Sequence, residues 1–253
     1  MNVRGTWTLF SKEVKRFMVV AMQTLLAPVI TALLYLVIFS HVMSDRVTMY
    51  DDLAYSSFLV PGLIMMSIIQ NAFGNTSSSL VFSKVTGSIV FVLLGPLTHM
   101  EFFIAFVAAA MFRALLVGLA IFIAAYFYVD VTVAAPVYVL LFGVLGAATL
   151  ATIGFLVGVW ADKFDHAATF QNFVIMPLSF LSGVFYSIHS LPAVWQAVSR
   201  FNPLFYMIDG FRYGFFGQSD VAPQLGVGVM CGALLILGIL TLVMLRSGYK
   251  LRT

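Results

Sequence analysis

The groups in this chain that could do chemistry are four histidines, one cysteine, a serine beside a glycine, and three polar residues set inside apolar runs. His41, His99, His166 and His189 fall near the ends of apolar runs, on opposite sides of a membrane in the reading below, so they do not converge on one metal ion or nucleophile. Ser182 and His189 have the residue types of an intramembrane Ser-His hydrolase, but no supporting acid or oxyanion motif accompanies them. Ser182-Gly183 suits close helix packing better. Cys231 has no partner for an intrachain disulfide and reads as a small packing residue. No catalytic residue and no metal ligand is assigned. No phosphate loop of the form G-x-x-x-x-G-K-[ST] is present, so any use of ATP requires an ATPase on another chain.

The remaining candidates are Gln70, Asn71 and Arg113. Arg113 stands nine residues into an apolar run, about 14 Å along a helix, where a charge is costly unless it meets a partner or water. Gln70 and Asn71 fall at comparable depth in a neighbouring run. They can accept its hydrogen bonds or line the same polar path; equally, all three can lock helices together.

The elements that position these residues follow from composition. Hydrophobic residues make up 62% of 253 and charged residues 9%, too few to cover a water-facing surface, so the chain is an integral membrane protein. Its basic balance is one of topology rather than of nucleic-acid binding. Six apolar runs approach the length needed to cross a bilayer: 17–39, 58–73, 104–127, 136–160, 170–186 and 225–245. The first follows Arg4, Lys12, Lys15 and Arg16 and lacks an A-x-A-like cleavage site, which predicts a retained span. Arg4, Lys12, Lys15, Arg16, Lys84, Lys163, Arg246, Lys250 and Arg252 fall on one side; Arg46, Arg200 and Arg212 fall on the other. Both termini are therefore expected in the cytoplasm. Asp45, Asp51, Asp52, Asp130, Asp209 and Asp220 lie outside in this scheme, and the short run Ile89 to Leu94 stays on the cytoplasmic side. No repeat or long polar linker divides the chain, so 1–253 is read as one all-α domain.

Three segments outside the spans carry pattern. Between Thr6 and Phe17, the stripe Trp7, Phe10, Val14 and Phe17 predicts an amphipathic helix flat on the inner leaflet, with Lys12, Lys15 and Arg16 off the stripe. After the fifth run, Val194, Trp195, Val198 and Phe201 make one apolar helical face, and Asn202-Pro203 ends that helix. A second helix follows at once, with Leu204, Ile208, Phe211 and Phe215 on one face and Asp209 spaced to pair with Arg212. Neither piece can span, so the outer hairpin, about 187–217, is expected to re-enter the outer interface.

The run PLSFLSGVFYSIHSLPAVWQAVSRFNPLFYMIDGFRYGFFG, from Pro177 to Gly217, resembles the signature of type-2 ABC transporter permeases, the membrane subunits of bacterial exporters. Further similarity lies in FLVPGLIMMSIIQNAF, Phe58 to Phe73, and LLGPLTHMEF, Leu93 to Phe102. This resemblance implies a homodimer in the bacterial inner membrane, bound by soluble ABC ATPase subunits that carry ATP and Mg, with no cofactor on this chain. It implies outward movement of polysaccharides, glycolipids or hydrophobic drugs. The loop 76–101 would hold the coupling helix, with Gly87, Phe91, Leu93, Leu94 and Pro96 facing the ATPase. Trp195, Phe201, Asn202, Pro203, Tyr206 and Arg212 would belong to an outer gate, the alternative being a lipid-anchored cap. The first amphipathic helix would serve ATPase docking or simple anchoring. Many relatives carry charge just before the Leu-Leu-x-x-Pro element, where this chain has Ile89, Val90, Phe91 and Val92. That departure implies a more hydrophobic ATPase groove or a segment sunk deeper in the interface. An intramembrane enzyme and a stand-alone channel are the alternatives from other classes.

Overall fold

The computed structural model describes residues 2–43 and 53–250; Asp45, Arg46, Asp51, Asp52 and Arg252, which entered the charge count, lie outside them. The described residues form helices and connecting turns, with no β-strand among them. Eleven α-helices follow in order: α1 Val3–Met18, α2 Ala21–Met43, α3 Tyr55–Val85, α4 Ile89–Leu93, α5 His99–Tyr126, α6 Pro136–Trp160, α7 Phe164–Phe170, α8 Met176–Phe180, α9 Ala193–Arg200, α10 Pro203–Phe216 and α11 Pro223–Ser247. Five of them, α2, α3, α5, α6 and α11, are long and apolar enough to cross a membrane.

Helix α3 is the axis of the molecule. It buries Phe58, Leu59, Met65, Ile69 and Phe73 completely and packs on α5, α6 and α10. Its 31 residues extend well past the expected end at residue 73, so 76–85 continue the helix rather than opening a loop. The polar run that suggested an end is accommodated locally: Thr76 and Ser77 donate their hydroxyls to the carbonyls of Ala72 and Phe73, at 3.1 and 2.9 Å. A hydroxyl satisfied in this way can be buried without leaving the helix. Helix α6 lies against α3 through Gly154 and Gly158. A Cβ at Gly154 would stand 2.5 Å from the Phe73 carbonyl oxygen, so only glycine permits this approach. By contrast, α2 and α11 turn most of their apolar surface outward, with Ile30, Leu34, Leu235 and Ile236 exposed.

The fifth expected span, 170–186, is not one regular helix. Helix α7 runs through a π turn, Gln171–Ile175, into α8, and the helical run ends at Phe180. Pro177 has no N–H to give the carbonyl one turn back, and the backbone widens just before it, with the Met176 N–H reaching the Gln171 carbonyl. Beyond Phe180 the chain turns through Gly183, whose φ of 76° is a left-handed conformation that suits glycine.

Helix α1 also departs from expectation. It buries Leu9, Glu13 and Phe17 against the body of the protein, chiefly α5, while Trp7 stays exposed. The buried stripe lies to one side of the predicted one because Glu13 turns inward to two polar partners, described below.

Candidate transport pathway and its couplings

Arg113 on α5 reaches α3. Its guanidinium donates from Nη1 to Asn75 Oδ1 at 3.1 Å and from Nη2 to Asn71 Oδ1 at 3.4 Å, while its buried Nε has no hydrogen-bond partner. Arg16 on α1 converges on the same amide, donating from Nη2 to Asn75 Oδ1 at 3.0 Å and to the Asn75 carbonyl at 3.3 Å. Two guanidinium groups thus share one amide oxygen. The compensating charge is Glu13, 1% exposed, which accepts from Arg16 Nε at 3.1 Å and from the Ser79 hydroxyl. Lys12 Nζ lies 3.4 Å from Glu13 Oε1 without hydrogen-bond geometry. Asn71, Asn75 and Ser79 stand four residues apart, so they form one polar stripe on α3 facing α1 and α5.

On another side of α3, a cavity of about 260 Å³ opens between α2, α3 and α8. Thr31, Tyr35, Ser67, Gln70 and Asn71 supply polar groups to its wall, and Leu63, Met66 and Met176 supply apolar ones. Gln70 and Asn71 both line this space. Arg113 does not; it touches the wall only through Asn71.

The segment expected to couple forms α4, preceded by Gly87 at φ 69°. Ile89 is its buried anchor, whereas Phe91 and Leu94 stand 80% and 79% exposed and Leu93 and Pro96 also face outward. Helix α1 is tied to this region at its other end. Asn2 caps α1 by accepting from the Gly5 N–H, donates from Nδ2 to the Pro96 carbonyl at 3.2 Å, and gives its backbone N–H to the Glu101 carboxylate. Glu101 also accepts from the Thr98 N–H at 2.7 Å, closing a capping box at the start of α5.

The segment expected to form the outer hairpin is held mainly by side chains bonded to backbone. Arg212, 1% exposed, donates to the Gly183 carbonyl at 2.6 Å and lies 4.0 Å over the Phe58 ring. Asp209 accepts the backbone N–H groups of Asp220 and Val221 at 2.8 and 3.0 Å. The expected Asp209–Arg212 pair is not formed, because each side chain finds these partners on a different loop. Burial pushes the Asp209 carboxyl up to about 6, against the two N–H donors and the nearby Arg212 charge. Asp220 in turn accepts from Ser187 Oγ and the Ile188 N–H, at 2.8 and 2.9 Å. Asn202 caps α10 and donates from Nδ2 to the Leu178 carbonyl and to Ser182 Oγ, both at 2.8 Å. Ser182 is therefore engaged away from His189. Pro203 and Tyr206 are half-buried, the latter donating to the Arg200 carbonyl. Leu204, Ile208, Phe211 and Phe215 face the core, but Val194, Trp195 and Val198 on α9 and Phe201 just after it point away from the protein, Phe201 being 89% exposed.

Residues 4–216 match the ABC-2 type transporter family. The chain belongs to that family. It is 37% identical over 246 residues to the inner membrane transport permease YadH of Escherichia coli K12, covering 97% of this chain and 96% of that one. It is 29% identical to nodulation protein J of Rhizobium leguminosarum bv. viciae, over 72% of this chain and 70% of the other. A shorter match, 29% identical, covers 45% of this chain and 42% of the capsule polysaccharide export inner-membrane protein BexB of Haemophilus influenzae. This ABC-2 permease is thus a multi-pass protein of a bacterial inner membrane and a transporter subunit, and its family implies partnership with an ABC ATPase.

Sequence reasoning about the permease missed Glu13, Asn75 and Ser79 as partners of Arg16 and Arg113. The signal was present: Asn71, Asn75 and Ser79 repeat at helical spacing, and Glu13 is the single acid among four basic residues before the first span. What hid it was the assumption that α3 ended at residue 73.

Proposed function

We propose that the chain is the permease half of an ATP-driven exporter for a hydrophobic or lipid-linked substrate, such as a drug, a glycolipid or a polysaccharide. The observation that carries this reading is the cavity between α2, α3 and α8, whose wall pairs Gln70, Asn71 and Tyr35 with Leu63, Met66 and Met176. Such a wall suits a cargo with polar and apolar parts. The printed function of the BexB relative, capsule polysaccharide export, supports the outward direction and the carbohydrate class.

In this reading two copies form a homodimer, each with six spans and both termini in the cytoplasm, the α7–α8 run serving as the fifth span. The proximity of Lys84, Asp162 and Lys250 supports placing those three ends on one side. A separate ATPase subunit binds ATP and Mg and docks on α4, where Phe91, Leu93 and Leu94 are exposed beside Gly87 and Pro96. Helix α1 joins that region to the pathway, since Asn2 holds Pro96 and Glu101 at one end while Glu13 and Arg16 hold Ser79 and Asn75 at the other. Arg113 braces Asn71 from behind rather than facing the cargo. The α9–α10 hairpin, with Trp195, Phe201, Asn202, Pro203, Tyr206 and Arg212, closes the outer end, and the outward apolar face of α9 meets lipid or the second copy.

The direct test is Phe91→Asp and Leu94→Asp in membranes that also contain the ATPase. Burying either side chain in an ATPase groove is worth about 1.5–3 kcal/mol, and a carboxylate there would be desolvated without a partner. Both variants should insert normally, lose ATPase pull-down and lose permease-stimulated hydrolysis. Normal binding and stimulation in both would remove α4 from the docking surface.

A further inference from the structure

A second cavity, of about 360 Å³, lies across α3 from the proposed pathway, between α3, α5 and α6 beneath α10. Every residue on its wall is apolar, among them Ile68 from α3, Leu119 from α5, Leu140 from α6, and Phe211 and Phe215 from α10. Two glycines lie on its wall. At Gly118 the α5 backbone comes so near α3 that a Cβ would stand 2.7 Å from Ile68 Cδ1, whereas at Gly143 a Cβ would fit, in ordinary contact with Phe211 at 3.5 Å and Leu115 at 3.6 Å. A side chain longer than alanine at Gly143 would add its volume to the cavity wall.

Leu119 and Leu140 are 53% and 68% exposed, and beside them Ile123 and Val137 present apolar side chains outward from the same two helices. The mouth is therefore continuous with the flank that these membrane-spanning helices turn to the bilayer. Water has little reason to fill the cleft, since it needs two to four polar partners and the side chains of the wall offer none. The volume falls within the range of small-molecule sites.

We propose that this cleft seats one acyl chain of a bilayer phospholipid, entering sideways between α5 and α6. The driving force differs from that of an aqueous pocket. A chain leaving bilayer hydrocarbon gains no relief from water; it gains contacts with a wall that would otherwise face a void. Recognition is then by shape, with no part for the headgroup. Because Phe211 and Phe215 bracket Arg212 on α10, the seated chain also supports the helix whose arginine holds Gly183.

The test uses the intact protein in nanodiscs doped with a phospholipid carrying a diazirine on one acyl chain, with adducts mapped by mass spectrometry. Adducts at Leu119, Leu140 and Phe211 should exceed those on the open face of α11, at Leu235 and Ile236, several-fold. Gly143→Leu, which adds side-chain volume at the cavity wall, should cut the cleft adducts several-fold and leave those on α11 unchanged. Leu119→Trp narrows the mouth from an exposed position where folding is not at stake, and should do the same. Exchanging a choline for an ethanolamine or glycerol headgroup should leave the pattern intact. Cleft labelling no higher than on α11, or labelling unaffected by both variants, would overturn the proposal. Labelling that follows the headgroup would overturn it as well, by assigning the site to a polar ligand.

Discussion

The two buried polar clusters of this permease are built on opposite principles. Around Asn75, side chains from three helices bond to one another: Glu13 and Arg16 from α1, Asn71, Asn75 and Ser79 from α3, and Arg113 from α5. Around Asp209 and Arg212, side chains bond mainly to loop backbone: the Asp220 and Val221 N–H groups and the Gly183 carbonyl. A backbone group cannot leave its place without refolding the loop, so the Asp209–Arg212 cluster fixes one geometry. Side chains on separate helices can exchange partners as the helices slide. The Asn75 cluster is therefore suited to movement and the Asp209–Arg212 cluster to holding one geometry.

The largest effect separating the two is expected at Glu13. Glu13→Ala removes the carboxylate that compensates Arg16 and Arg113 on a shared oxygen. Breaking a buried pair costs about 3–5 kcal/mol; with Arg16 30% exposed, a loss of about 2–3 kcal/mol is expected here, read as a fall in melting temperature of the purified protein. Glu13→Ala together with Arg16→Ala should recover part of it, and no recovery would deny the pairing.

Asp209→Ala comes next. It leaves the half-buried N–H groups of Asp220 and Val221 without this acceptor, and because water can reach them in part, a loss of about 1–2 kcal/mol in all is expected. If the Asp209–Arg212 cluster is a static cap, this variant melts earlier yet still stimulates its ATPase when folded; loss of stimulation at full folding would make the hairpin a moving gate instead.

A smaller, pH-dependent effect follows from the same residue. The folded carboxyl of Asp209 is raised to about 6 from an ordinary 3.8, so folding favours its protonated form. Its contribution to stability is present below about 4 and is lost as pH rises through about 6, by no more than about 3 kcal/mol. Asp209→Asn should flatten the melting profile across that window, and an unchanged slope would point to another group.

The least effect is expected at Asp162. Lys250 bonds it at 2.6 Å and holds its carboxyl below the usual range, but it is 52% exposed. Its contribution is present above the ordinary carboxylate pKa and fades as pH falls through the lowered one. Asp162→Asn should leave melting at neutral pH nearly unchanged at moderate salt, where an exposed pair contributes little.

The sequence made the membrane class, most span positions and the core-facing stripe of α10 legible, because apolar periodicity and length carry that information directly. Helix α6 was bounded by the same residues, Pro136 and Trp160, that the apolar run supplied. Two failures share a cause. Polar residues after Phe73 read as a helix end, though hydroxyls bonded back to their own helix keep α3 going to Val85. Glu13 went unread and Arg16 was placed off the apolar stripe, though both turn inward to α3. In each case the deciding fact is a partner on the same turn or on a distant helix, which one-dimensional pattern does not display. The Asp209–Arg212 spacing failed in the opposite way: a helix-surface pair is outcompeted when each group can satisfy buried backbone.

Asn75 is where Arg16 of helix α1, which touches the α4 region, meets Arg113, whose other partner Asn71 lines the cavity, so it offers the most direct measurement. Asn75→Leu keeps the volume roughly but removes the oxygen shared by Arg16 and Arg113. With the permease and its ATPase reconstituted together, the expected result is normal pull-down of the ATPase with permease-stimulated hydrolysis lost, since docking is intact and transmission is cut. Wild-type stimulation from a correctly inserted Asn75→Leu protein would contradict the account, leaving the Asn75 cluster as packing alone.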